Sequence, residues 1–104
     1  MNVQLKRGLT DVCILAALRH GDSYGYKIIS DLSDIMILSE STLYPVLKRL
    51  ESQGLLSTYS KDYNGRLRKY YVITDSGIER IEGFLEEWKE IEKVGKFISG
   101  KVGA

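Results

Sequence analysis

The sequence predicts a mostly α fold of the α+β class, with three helices, then a two-stranded β hairpin, then a long C-terminal helix. Three observations predict this order. Apolar residues recur at helical spacing through most of residues 9–53. Two runs of β-forming residues follow and flank Asn64-Gly65, the dipeptide that best tolerates a type I′ turn. After Thr74, an apolar stripe at helical spacing continues to about residue 98.

Length and composition predict one soluble domain. The chain has 104 residues, 43% of them hydrophobic and 28% charged, as in ordinary globular proteins. The single cysteine, Cys13, lies in an apolar run, so we expect a buried and inert thiol. One cysteine and one histidine provide no zinc-binding spacing, and we expect neither a metal nor a cofactor. The first residues lack the order of a signal peptide, which predicts a cytoplasmic protein.

The first two helices are predicted from apolar spacing and capping residues. The first runs from Leu9 to Leu18 and is buried on several sides, with no long helical segment before it. The second runs from Tyr24 to about Asp34, and either Asp22 or Ser23 can cap it. We expect the two tyrosines at its start to serve the core and the helix start rather than to form a stacking platform.

Ser39-Glu40-Ser41 offers capping oxygens and a carboxylate suited to the start of the third helix, which is predicted to end at about Gln53, before Gly54. With Ser41 or Thr42 as its cap, Pro45 falls in the first turn or just after it, where a missing N–H removes at most one backbone bond. Its inward stripe is Leu43, Val46, Leu47 and Leu50, and its outer face carries Ser41, Tyr44, Pro45, Lys48, Arg49 and Ser52.

The hairpin is predicted from Leu55–Lys61 and Leu67–Ile73, in a register that places Lys61 opposite Arg68 and Tyr59 opposite Tyr70. Four cations lie near its tip with only Asp62 to offset them. They are Lys61, Arg66, Arg68 and Lys69. Like charges that face one another across strands destabilise a hairpin unless an anion meets them.

The last helix is predicted to begin at Asp75 after a Thr74 cap. At about 1.5 Å per residue it outgrows a three-helix core, so part of its apolar stripe needs a partner, and a second copy of the chain is the economical choice. The expected dimerisation residues are Ile81, Leu85, Trp88, Ile91 and Ile98. The chain then divides into a winged helix-turn-helix over 1–74 and a dimerisation helix over 75–104, within one structural unit.

Two short helices, a third with a polar outer face and a basic hairpin are typical of a winged helix-turn-helix that binds double-stranded DNA. The distribution of charge also favours DNA binding by the first part of the chain. Basic residues outnumber acidic ones ten to seven up to Thr74, and acidic residues outnumber basic ones seven to five after it. The side chains expected at DNA are Ser41, Thr42, Tyr44, Lys48 and Arg49 of the third helix and Lys61, Arg66, Arg68 and Lys69 of the hairpin. The alternative is a winged helix that uses this face to bind another protein. No nucleophile with its base and no phosphate-cradling loop is present, which argues against an enzyme.

Three motifs resemble the PadR family of transcriptional regulators. They are Ser41-Thr42-Leu43-Tyr44-Pro45-Val46-Leu47-Lys48-Arg49-Leu50-Glu51, Gly54-Leu55-Leu56, and Gly65-Arg66-Leu67-Arg68-Lys69-Tyr70-Tyr71 with Thr74 and Gly77. The resemblance implies a homodimeric repressor on an inverted-repeat operator, of the short subgroup with one C-terminal dimerisation helix. It places Ser41, Thr42, Tyr44 and Lys48 of the third helix and Arg66, Arg68 and Lys69 of the wing at DNA.

Trp88 has two interpretations. The segment Phe84-Leu85-Glu86-Glu87-Trp88 resembles the one that places an aromatic platform at the dimer interface in short family members that sense flat hydrophobic compounds. The resemblance therefore implies a small hydrophobic or aromatic effector at Trp88. A tryptophan on the apolar stripe of a dimer helix is also explained by packing alone.

Overall fold

The structure, a computed structural model, describes residues 3–100, with side chains from residue 8 onward. Its elements are α1 (Val3–Arg19), α2 (Gly25–Leu32), α3 (Glu40–Ser52), β1 (Leu56–Tyr63), β2 (Arg66–Ile73) and α4 (Asp75–Ile98). This order confirms the predicted fold class. The predicted segments 1–74 and 75–104 include residues 1–2 and 101–104, which lie outside the described residues. The division of the chain at residue 74 into a DNA-binding part and a dimerisation helix stays a prediction.

The first two helices differ from their predicted starts. Helix α1 begins at Val3, so the expectation of a start at Leu9 is wrong. Gly8, just before the predicted start, does not interrupt the helix, because a glycine inside a helix costs only about 1 kcal/mol relative to alanine. The N-cap of α2 is Tyr24, which makes no side-chain capping bond, so neither Asp22 nor Ser23 caps the helix.

The core lies where α1, α2 and α3 meet the base of the hairpin and the start of α4. Its buried side chains are Ile14, Leu15, Leu18, Ile28, Leu32, Leu38, Leu43, Leu47, Leu50, Leu55, Leu56, Tyr71 and Ile81. Ile81 is only 4% exposed, which corrects its assignment as a dimerisation residue. The start of α4 packs on this core, and Ile81 lies on the side of the helix that faces it. Cys13 is only half-buried, contrary to expectation, and its burial raises the pKa of the thiol, which disfavours the reactive thiolate.

Of the predicted capping residues, Ser39 is the N-cap of α3, so the helix begins earlier than a cap at Ser41 or Thr42 would place it. The Ser39 hydroxyl oxygen accepts a hydrogen bond from the Thr42 backbone N–H at 3.2 Å. Pro45 is therefore the sixth residue of the helix rather than a first-turn residue. Since proline has no N–H, the Ser41 carbonyl loses the helical donor it would otherwise have. The helix tolerates this loss on a face that is open to solvent.

The hairpin has the predicted register, with Lys61 opposite Arg68 and Tyr59 opposite Tyr70. Asn64 and Gly65 have φ angles of 51° and 80°, the left-handed pair that a type I′ turn requires. The strands are longer than predicted by two residues at the end of β1 and by one at the start of β2, so they run directly into the turn. We call the hairpin Leu56–Ile73 the wing.

The loop between α1 and α2 fastens the wing to the helices. Ser23 forms an isolated antiparallel bridge with Tyr71, in which each backbone N–H donates to the other residue's carbonyl, at 3.1 and 2.7 Å. Nearby, the Tyr59 hydroxyl donates to the Asp22 carboxylate at 2.9 Å. The loop thus acts as a short third strand against the outer edge of β2.

Helix α4 starts against the hairpin and then leaves the body of the molecule. The Thr74 hydroxyl caps it, as predicted, by accepting from the Gly77 N–H at 3.1 Å. Gly77 is required there because a Cβ would overlap the Leu55 carbonyl oxygen. The long helix makes the described chain 61 Å long but only 26 and 21 Å across. No helix among residues 3–100 is both long and apolar enough to span a membrane.

Candidate nucleic-acid interface

The outer face of α3 carries four of its five predicted DNA-contact residues in exposed positions. They are Ser41, Thr42, Tyr44 and Lys48. They face outward because Leu43, Leu47 and Leu50 occupy the opposite side of the helix and are fully buried. The Ser39 hydroxyl donates a hydrogen bond to the Thr42 hydroxyl at 3.1 Å and forms another with the Ser41 hydroxyl at 3.0 Å, and these bonds order the first turn. The result is a helix surface of small hydroxyls, one phenol and one cation.

Arg49 does not join that surface. Its guanidinium donates two hydrogen bonds to the Asp11 carboxylate of α1, at 2.9 and 2.7 Å. Asp11 is well buried, with 10% of its side chain exposed, against 37% for Arg49. The hydrogen bond that Arg49 donates to Asp11 raises the pKa of Arg49 against the opposing effect of burial. The expectation that Arg49 points outward is therefore corrected, because the buried carboxylate of α1 needs a paired cation.

The wing carries three exposed cations and a fourth that packs between aromatic rings. Lys61, Arg66 and Lys69 are exposed, whereas Arg68 is half-buried. The Arg68 guanidinium carbon lies 4.0 Å from the centre of the Tyr24 ring and 3.7 Å from that of the Tyr63 ring. Burial lowers the pKa of Arg68, and a hydrogen bond with Tyr70 together with nearby phenols outweighs this, so the net shift is upward. Arg68 thus stays charged in a fixed position.

Sequence reasoning missed the aromatic cluster around Arg68. Tyr59 and Tyr70 stack with ring centres 5.3 Å apart, and Tyr24 meets the edge of Tyr70 at 5.8 Å. The alternation of the hairpin places Tyr59, Tyr63, Arg68 and Tyr70 on one face and could have revealed that part. Nothing in the local sequence indicates that Tyr24, which precedes the hairpin by more than thirty residues, completes it.

The distal part of α4 leaves its apolar stripe uncovered in the described chain. The stripe consists of Leu85, Trp88, Ile91, Val94 and Ile98, whereas Phe97, which is also exposed, lies on the opposite side of the helix from Trp88. Trp88 is 45% exposed and stacks on Phe84, with ring centres 6.3 Å apart and planes 19° from parallel. Four of the five predicted dimerisation residues therefore share one exposed stripe, and Ile81 is the exception. Within residues 3–100, no three His, Cys, Asp or Glu side chains are grouped so that they could hold a metal ion.

Comparison with known proteins identifies relatives of this fold. The sequence model of the "Transcriptional regulator PadR-like family" matches residues 14–83. The solved structure of smu.1704 from Streptococcus mutans UA159 is 39% identical, with a TM-score of 0.80, and the match covers 94% of this chain and 93% of that one. A PadR family transcription regulator from Clostridium difficile R20291 is 36% identical, with a TM-score of 0.77, over 85% of this chain and 96% of that one.

One similar structure contains DNA. It is Bacillus subtilis PadR in complex with operator DNA, which is 28% identical to this chain with a TM-score of 0.69. The match covers 74% of this chain but only 46% of that longer one. The two chains therefore share the winged helix-turn-helix architecture but not the whole length.

We predict that the Asp11–Arg49 pair stabilises the fold by joining α1 to α3. Asp11→Ala should lower the free energy of unfolding by about 1–3 kcal/mol, because the guanidinium of Arg49 loses its carboxylate at a partly buried position. The matched control is Glu86→Ala, which breaks an exposed pair with Lys89 (3.5 Å) and should change it by less than about 0.5 kcal/mol. Urea unfolding at one protein concentration measures both. Equal losses in the two variants would contradict the prediction.

Proposed function

This chain belongs to the PadR-like family of transcriptional regulators, a family of regulators and not of enzymes, and from that premise we propose that it represses transcription as a homodimer on an inverted-repeat operator. In this proposal residues 1–74 bind DNA, α4 forms the dimer, and the protein works in the cytoplasm. The single observation that carries the proposal is that the exposed outer face of α3 lies beside cations of the wing, since Tyr44, Arg68 and Lys69 line one cavity.

DNA binding explains why these charges are left in the open. We propose that α3 is the recognition helix and lies in the major groove, where Ser41, Thr42 and Tyr44 allow close approach and Lys48 reaches a phosphate. The wing then places Lys61, Arg66, Arg68 and Lys69 along the adjacent backbone. A phosphate backbone supplies the anion that these facing cations lack within the described chain.

Dimerisation explains the stripe on α4. Five large apolar side chains lie 42–77% exposed along one side of a helix, which is more than a monomeric soluble protein usually leaves in water. A second copy would cover the stripe with an identical one, as two-fold symmetry requires. Two-fold symmetry also relates the two α3 helices, which suits an inverted repeat, and dimers of this kind bind half-sites about one turn of DNA apart.

The proposal also includes a small hydrophobic or aromatic effector that binds at the dimer interface. Trp88 and Phe84 form a pair of nearly parallel rings on the side of α4 that we assign to the dimer. In a dimer, two such pairs would provide flat apolar surfaces, and a planar hydrophobic molecule would bind between them and release the repressor from DNA. Packing of Trp88 across the dimer is the competing explanation, and the two differ in whether removal of the indole weakens ligand binding.

Our first prediction for this function concerns Lys48. Lys48→Ala should weaken duplex binding and lower the dependence of log K on log salt by about one for each phosphate that the protein no longer neutralises, which is about two for a dimer on a full operator. The probe is a duplex recovered by selecting bound fragments from random DNA. Lys89→Gln removes one charge from α4 and serves as the control that leaves the slope unchanged. If the wild-type protein binds no duplex even at low salt, the protein-binding alternative is favoured instead.

The second prediction concerns the dimer. Ile91→Asp places a carboxylate at the middle of the exposed stripe and should shift the protein to monomers at micromolar concentration, because an unpaired charge at the centre of an apolar interface is strongly unfavourable. Lys93→Asp, on another face of α4, is the control and should remain dimeric. Sedimentation velocity reports both masses. A dimeric Ile91→Asp protein would show that this stripe is not the interface.

The third prediction concerns Trp88, the only tryptophan in the chain. A planar aromatic dye should quench its fluorescence, and Trp88→Ala should reduce dye affinity at least about tenfold while the dimer persists, because the stacking surface is removed. Calorimetry measures dye binding in both proteins, since the variant has no tryptophan signal. A Trp88→Ala dimer that binds the dye as well as the parent would leave packing as the role of this residue.

A further inference from the structure

The wing, the start of α2 and α3 enclose a small cavity that the function proposed above does not explain. Its volume is about 150 Å³. It is lined chiefly by Tyr24, Tyr26, Tyr44, Arg68, Lys69 and Tyr71. Two cations and four phenols thus surround a space large enough for the five non-hydrogen atoms of a phosphate group, given that one water takes about 30 Å³ of liquid.

We propose that this cavity, which we call the phosphate clasp, binds one phosphate group of the DNA backbone and fixes the wing relative to α3 on the duplex. The proposal rests on the proposed function, since it names the part of DNA that this surface holds. The clasp lies between the two elements assigned to DNA, because Tyr44 comes from α3 and Arg68 and Lys69 come from the wing.

Arg68 is the cation best prepared for this role. The rings of Tyr24 and Tyr63, centred 4.0 and 3.7 Å from its guanidinium carbon, leave the N–H groups at its rim as its means of binding. A guanidinium rim matches two phosphate oxygens, and a side chain that is already ordered loses less entropy on binding. Tyr24 and Tyr63 are therefore positioning residues for Arg68.

The edge of β2 adds donors from Lys69. Backbone groups along a strand alternate between its two edges, and those of Tyr71 point outward to Ser23. The backbone N–H of Lys69, two residues earlier, therefore faces the same outer edge. Lys69 is itself a lining residue, and its ammonium nitrogen lies 5.7 Å from the centre of the ring of Tyr71, another lining residue. One residue thus offers a fixed amide donor and a mobile charge to the same anion.

Tyr44 closes the clasp from α3. Its hydroxyl lies so close to the start of α2 that a Cβ on Gly25 would overlap it, so only glycine leaves room for the phenol. The neighbouring Tyr26 is engaged elsewhere, since a hydrogen bond with Glu40 raises the pKa of its phenol. The wing and α3 therefore offer a phosphate the donors of Arg68, Lys69 and Tyr44, which all line the cavity.

The experiment measures how each phosphate contributes to binding. The probe is the selected duplex in which one phosphate at a time is replaced by an uncharged methylphosphonate, tested against the wild-type protein and Arg68→Gln. We expect one position in each half-site where the replacement weakens wild-type binding about tenfold or more, the size of a charged hydrogen bond. At that position the same replacement should change the affinity of Arg68→Gln by less than about twofold, because the variant no longer contacts this phosphate. At the other positions it should weaken binding by Arg68→Gln as much as binding by the wild type.

Tyr24 provides the readout of positioning. In Tyr24→Leu, the methylphosphonate at the same position should no longer weaken binding, because Arg68 is no longer positioned. In Tyr24→Phe, which keeps the ring, it should weaken binding as it does in the wild type. Lys89→Gln controls for the removal of a charge and should show the wild-type pattern. The clasp is disproved if the wild type binds the duplex but every methylphosphonate penalty persists in Arg68→Gln. Absence of any wild-type binding to duplex would instead overturn the proposed function itself.

Discussion

The attachment of the wing to the helices is the constraint on which the rest of the structure depends. A lone two-stranded hairpin is at best marginally stable in water, so the wing needs contacts with the body. The paired backbone bonds between Ser23 and Tyr71 supply them, together with Leu56 and Tyr71 in the core and the bond from the Thr74 hydroxyl to the Gly54 carbonyl (2.7 Å). Because both ends of the hairpin are held, the base of the wing keeps a fixed relation to the helices.

Helix α1 occupies the centre of this arrangement. It packs against α2, β2 and α4, and it holds α3 through the Asp11–Arg49 pair. Asp11 also lines a cavity of about 400 Å³ between α1 and α4, together with Val12 and Phe84. Since Phe84 stacks on Trp88, the proposed effector position and the recognition helix are connected through a single helix. Contacts thus join α4 to α3 through α1.

The sequence predicted the features that depend on neighbouring residues. The Asn64-Gly65 turn fixed the hairpin register, and Thr74 marked the start of α4, because both signals act within a few residues. Contacts between distant segments could not be predicted in the same way. Arg49 looked free on a helical projection, yet its partner is 38 residues away, and Tyr24 reaches Arg68 across 44 residues. Ile81 fits the stripe equally well, and only packing shows that the core uses it.

The most direct test is a map of backbone amide NMR shifts in the protein as the selected duplex is added. The account expects the largest changes in the first half of α3, at the tip of the wing and around Tyr24, with little change along the distal part of α4. It would be contradicted if the changes concentrated on α4, or if α3 responded while the wing and Tyr24 did not.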